Sequence, residues 1–99
     1  MANYTLTNKA VTDLSEIWNY TIETWSEKQA DKYYFMILDT CQDLADGKAK
    51  GKNYPEINFE ILGFKTGQHI IFYRQISIQE IEITRILHSQ MDLKNRIQE

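Results

Sequence analysis

Cysteine is almost absent from this chain. Cys41 is the only one in 99 residues, so no disulfide can form within it, and a reducing compartment, the cytoplasm, is the expected setting. Proline occurs once, at Pro55, and glycine four times. No glycine-rich phosphate loop is present, and no segment is of low complexity. No apolar run approaches the roughly 20 residues that a membrane span needs. The opening "MANYTLTNKA" lacks a charged start followed by an apolar block, so a secretory leader is not expected. Excess positive charge is missing too: the formal net charge is −3 and the sequence pI near 5.3. A protein held mainly by a nucleic-acid backbone shows a clustered basic face and a high pI, so direct specific nucleic-acid binding is not expected. The two histidines, His69 and His88, have no Cys/His cluster of zinc spacing around them. Neither a metal nor a cofactor is expected.

What is present describes an ordinary globular domain. Hydrophobic residues make up 42% and charged residues 25%, and the length suits one domain over 1–99. Charge is uneven. Residues 1–47 carry three lysines against eight acids, and residues 48–99 carry eight basic residues against six acids.

Periodicity supplies the elements. "NYTLT" alternates and is rich in β-formers, predicting a first strand over Asn3 to Thr7. Ala10, Leu14, Ile17, Trp18, Thr21, Ile22 and Trp25 step by three and four, predicting an amphipathic helix over roughly Asn8 to Trp25. Ser26 and Gln29 form a capping box that starts a second helix. Its apolar stripe runs from Ala30 through Tyr33, Tyr34, Ile37, Leu38, Cys41 and Leu44 to Ala45, and Gly47 is placed to end it. Cys41, on that stripe, is expected to be a buried, inert thiol. Phe35 and Met36 fall off the stripe and are either the edge of a wide one or a patch for a partner.

"GKAKGKNYPE" is the one linker-like stretch, its Lys48, Lys50 and Lys52 read as a solvated loop or a contact for an acidic partner. Three strands then close the chain: "INFEILGF", "HIIFYR" and "IEITRILH". "HIIFYR" is apolar on both parities and is expected to be a central strand covered on both faces. Short connections make the three antiparallel. "SQMDLKNRI" is expected to form a short C-terminal helical turn, with Ser89 as its cap and Asp92 in its first turn. The expected class is α+β, ordered β-α-α-β-β-β, with an antiparallel sheet and a helical hairpin packed on one face.

Glu60, Lys65, His69, Arg74, Arg85 and His88 all lie on the strand segment. Together they could supply the acid, base and cations for cleaving a phosphodiester through its 2′-hydroxyl, if they converged on one face. Strand parity opposes that. In a regular strand Arg85 shares parity with Ile81, Ile83 and Leu87, and His88 points to the other face. Arg85 would then lie among apolar residues, paired with an acid such as Glu60 or Asp92. A bulge near Arg85 would reverse this.

"GQHIIFYR" followed closely by "IEITRILHSQMD", with "LTNKAVTDLSEIWNYTIETWSEKQADKYY" upstream, resembles the ParE toxins, a branch of the RelE/ParE superfamily of toxin–antitoxin systems. The resemblance runs from about Tyr4 to Leu93. It departs in having Leu62 where many relatives carry an arginine, and "GKAKGK" where they often carry a proline. The acidic composition, and the lack of a tyrosine directly after His88, set the chain apart from the RelE branch. The resemblance implies the β-α-α-β-β-β fold, a cognate ParD-like antitoxin as partner, and inhibition of DNA gyrase in the service of plasmid stability. With no apolar run long enough to span a membrane, no membrane contact is expected. Target contact is expected at Arg74, Arg85, His88, Met91, Lys94 and Arg96, and antitoxin contact at Trp18, Trp25, Phe35, Met36 and Tyr73. The alternatives are a RelE-like, ribosome-dependent mRNA endonuclease using Glu60, Lys65, Arg74, Arg85 and His88, and an inactive relative that only binds antitoxin.

Overall fold

A computed structural model describes residues 2–54 and 58–89. The chain runs β1 (Asn3–Leu6), α1 (Asn8–Thr24), α2 (Glu27–Asp46), β2 (Lys52–Tyr54), β3 (Asn58–Thr66), β4 (His69–Ser77) and β5 (Glu80–His88). The strands form one sheet in the order β1-β5-β4-β3-β2, with α1 and α2 packed on one face.

Two expectations need correction. The sheet is mixed rather than antiparallel, because β1 runs parallel to β5, pairing Asn3 with Glu80 through Leu6 with Ile83. The helical hairpin carries the chain away before the sheet is built, so β1 reaches β5 only at the end, where a parallel edge completes the ladder. The linker also contributes a strand. Lys52 and Asn53 pair antiparallel with Gly63 and Leu62, in a run too short for alternation to reveal.

The helices begin and end for local reasons. Thr7, expected as the last residue of the first strand, is instead the N-cap of α1: its hydroxyl oxygen accepts from the Ala10 N–H at 3.1 Å and donates its proton to the Thr84 carbonyl at 2.8 Å. Ser26 caps α2, accepting from the Gln29 N–H at 3.1 Å. Gly47 ends α2 in the left-handed region, at φ 79°, which a side chain disfavours.

The sheet carries a core on each face. Against the helices lie Ile71, Tyr73, Ile81, Ile83 and Ile86, packed with Ala10, Leu14, Ile37, Cys41 and Leu44. On the opposite face Ile61, Ile70, Phe72 and Leu87 cluster with Tyr54, whose ring meets Phe72 edge-on at 5.3 Å. The two parities of β4 thus feed both cores, as expected of the middle strand of five.

The alternation of β5 breaks at Thr84. Phe72 faces Arg85, but Tyr73 faces Ile83, so one extra residue sits in β5. After this bulge Ile86 joins the helix-side core and Leu87 joins the far one.

Two glycines separate backbone from packing effects. A Cβ at Gly47 meets nothing within 4 Å, while one at Gly67 (φ 57°) lies 2.7 Å from the Tyr33 hydroxyl. Gly47→Ala is expected to cost about 1 kcal/mol, the left-handed penalty alone. Gly67→Ala should cost more, because Tyr33 must also move. Urea denaturation of both variants checks the order.

Candidate functional site

β1 ends at Leu6, so the outer half of β5, beyond Ile83, has no neighbouring strand on that side. Helix α1 takes its place. The Thr7 N–H donates to the Ile83 carbonyl at 3.0 Å, and six residues later, nearly two helical turns on, the Asp13 carboxylate reaches the strand. Asp13 Oδ2 accepts from the Ile86 N–H at 3.0 Å and from Arg85 Nε at 2.7 Å, and Oδ1 accepts from Arg85 Nη2 at 3.0 Å. The side chains of Arg85 and Asp13 are only 12% and 8% exposed. Arg85 does pair with an acid, but the acid is Asp13, not Glu60. Asp92, the other candidate, lies outside the described residues.

Beside this pair an open cavity of about 470 Å³ runs between α1 and the ends of β4 and β5. It is lined by Asp13, Glu16, Ile17, Tyr20, His69, Ile86, Leu87 and His88. His69 and His88 are direct cross-strand partners, their rings edge-on at 5.3 Å. His69 Nδ1 is 2.6 Å from the Tyr33 hydroxyl, and that oxygen accepts from the Gln68 N–H at 3.0 Å. The hydroxyl proton is therefore assigned to Nδ1, which leaves the proton of neutral His69 on Nε2. Burial, reinforced by His88 and opposed by Asp13, lowers the His69 pKa from 6.5 to about 4. Burial likewise raises Tyr33 above its ordinary value. Buried Cys41 is pushed up to about 12, so its thiol is protonated at neutral pH and a poor nucleophile.

The bulge at Thr84 takes Arg85 off the face it was expected to share with Ile81 and Ile83, but it precedes both residues, so Arg85, opposite Phe72, and His88, opposite His69, keep opposite parity as expected. Arg85 meets Asp13 through its guanidinium at the strand edge that β1 leaves open, while His88 lines the cavity that Asp13 also borders. The five nuclease candidates still do not converge. Arg74 lies five positions from His69 along β4, about 17 Å away, and is held by Glu82 at 3.1 Å on β5. Glu60 lines a separate hollow with Arg74, Asn53 and Ile76. Lys65 is exposed on β3.

Of the residues expected to meet an antitoxin, Trp25 and Phe35 are 74% and 59% exposed. Trp18 and Met36 are half-buried. Trp18 Nε1 donates to Asp31 at 3.4 Å, beside a groove shared with Ser15, Tyr34 and Phe35. Tyr73 is a correction: it is 3% exposed, in the helix-side core, and its hydroxyl accepts from the Gly51 N–H at 2.7 Å. The "HIIFYR" pattern hid this, because a strand covered on both faces leaves no parity for the surface. Met91, Lys94 and Arg96, like the expected tail helix, lie outside the described residues. Among the described residues no group of three or more His, Cys, Asp or Glu could hold a metal, and no helix is long and apolar enough to cross a membrane. Asp13, Glu16 and Tyr20 were not singled out as site residues. Their i, i+3, i+7 spacing places them on one face of α1, but nothing in the sequence says that this face meets β5.

Two helices on one face of a five-stranded mixed sheet is the architecture of the RelE/ParE-like toxins. A solved structure titled "Chromosomal ParDE TA system from P. aeruginosa" shares it, with TM-score 0.69 and 20% identity over 89% of this chain and 96% of that one. The family described as "ParE toxin of type II toxin-antitoxin system, parDE" matches residues 4–93, and the chain belongs to it. Curated relatives include a "Toxin ParE1" of Caulobacter vibrioides, 29% identical over 95% of this chain and 96% of that protein. A "Toxin ParE1" of Mycobacterium tuberculosis is 28% identical over 97% and 98% respectively.

The depressed His69 pKa links stability to pH. Between pH 6.5 and about 4 the unfolded chain binds a proton that the folded chain does not, so stability falls as pH drops through that window and flattens below it. The urea midpoint should follow this course, and His69→Gln should flatten it. An NMR titration should place the His69 pKa near 4.

Proposed function

We propose that this ParE-family chain poisons DNA gyrase by protein–protein binding, without bond chemistry of its own, and is neutralised by a cognate ParD-like antitoxin. The observation that carries the reading is the family match across residues 4–93. The dispersal of Glu60, Lys65, Arg74, Arg85 and His88 over separate parts of the sheet supports it over the nuclease alternative, which needs its acid, base and cations around one phosphate. The net charge of −3 points the same way.

The antitoxin is assigned to the outer face of the helical hairpin, where Trp25 and Phe35 project and Trp18 and Met36 flank them. Exposed aromatic residues beside a groove suit an amphipathic helix laid across it. Target contact is assigned to Arg74, whose side chain is 43% exposed despite its ion pair, and to the segment that begins at His88. Arg85, bound to Asp13, fixes the strand end that leads to His88.

Purified protein added to a gyrase supercoiling and DNA-cleavage assay should block supercoiling and trap linear DNA with the enzyme. Added to translating ribosomes, it should leave mRNA intact. Cut mRNA with unaffected gyrase would make the chain a ribosome-dependent nuclease. Failure in both assays, with antitoxin binding retained, would make it an inactive antitoxin-binding relative.

A further inference from the structure

The antitoxin surface on the hairpin does not use the cavity between α1 and the ends of β4 and β5, and the gyrase reading touches it only at His88. We propose that this cavity receives an arginine side chain presented by a protein partner, its alkyl stem on Ile17 and Ile86 and its guanidinium against Glu16 and the Tyr20 ring. At about 470 Å³ the space is within the range of side-chain-sized and small-ligand sites.

Charge selects the occupant. The described lining contains two carboxylates, Asp13 and Glu16, and no lysine or arginine. Asp13 is neutralised by Arg85, which leaves Glu16 as the charge that faces an incoming group. Among the described residues Glu16 has no ion-pair partner, and it is exposed at the mouth. Burial keeps His69 uncharged at neutral pH, so the imidazole beside it does not repel a cation. An anion would meet a carboxylate with no compensating cation. A purely apolar group would strip water from Glu16 and return no hydrogen bond.

Shape favours arginine over lysine. Tyr20, 67% exposed, offers a ring on which a planar guanidinium stacks, and the guanidinium fork can bind a carboxylate through two N–H groups at once. Ile17 and Ile86 supply an apolar wall for the stem. The wall is firm, because Ile86 is nearly fully buried and the Asp13 bond to the Ile86 amide fixes the strand. The proposal rests on the toxin reading only for the identity of the partner that carries the arginine, and its test does not depend on gyrase.

The chain has two histidines, both in the cavity wall, so two imidazole signals report on it. The full-length ¹⁵N-labelled protein is titrated with n-propylguanidinium and, separately, with n-propylurea, its neutral counterpart. Propylguanidinium should shift the His69 and His88 signals saturably, with a dissociation constant on the order of millimolar, as its small size allows. Propylurea should not. An acetylated, amidated Ala-Arg-Ala peptide should compete for the site. Glu16→Gln should weaken propylguanidinium binding about fivefold while leaving distant amide signals in place. Equal shifts with propylurea, no saturable shift, or an unchanged affinity in Glu16→Gln would overturn the proposal. Shifts that appear only after Arg96→Gln would make the chain's own tail the occupant and overturn the assignment to a partner.

Discussion

The carboxylate of Asp13 joins the two halves of this molecule. It accepts three hydrogen bonds, two from Arg85 and one from the Ile86 amide, and so binds α1 to the part of β5 that β1 does not reach. Without an acceptor there, the Ile86 amide would be a buried donor with no partner, which costs about 1–3 kcal/mol. A backbone strand could have supplied that acceptor. A helix cannot, because its carbonyls are engaged along its own axis, so a side chain must do the work of the missing strand. The guanidinium of Arg85 then makes the buried negative charge tolerable.

Two further features follow from the same junction. The bulge at Thr84 takes Arg85 off the face of Ile81 and Ile83 and puts Ile86 into the helix-side core, while Leu87 turns to the far face. It also sets His88 opposite His69, and His69 in turn meets Tyr33 on α2. The cavity between α1 and the strand ends is bounded by these contacts. Its walls therefore come from elements that the Asp13–Arg85 pair and the Tyr33–His69 bond hold in register.

Much of the fold was readable from periodicity. The helical stripes, the Ser26 cap, the Gly47 stop and the two-faced character of β4 are all local signals, and each element stands where they put it. The parallel pairing of β1 with β5 was not readable, because it joins residues nearly eighty positions apart with no turn chemistry between them. β2 was missed because three residues carry no usable alternation. The bulge is the most instructive case. "IEITRILH" contains no glycine or other local mark of an extra residue, so strand parity put Arg85 on the face of Ile81 and Ile83, whereas it stands opposite Phe72. Its partner, Asp13, lies seventy-two positions earlier, and only tertiary packing brings it there. The family resemblance, in contrast, rested on contiguous motifs and pointed to the ParE toxins, the family that matches residues 4–93.

A ParE-type toxin must present one surface to an antitoxin and another to its target while remaining folded with a core of modest size. In this chain the exposed aromatic residues project from the hairpin, away from the sheet, and the junction at Asp13 holds the hairpin in place. A double-mutant cycle with Asp13→Ala and Arg85→Met, read by urea denaturation, tests that role most directly. If Asp13 and Arg85 act as one buried unit, the double variant is little less stable than either single variant, and the coupling energy is about 1–3 kcal/mol. Losses that simply add, with coupling below about 0.5 kcal/mol, would contradict the claim that this pair holds α1 to the sheet.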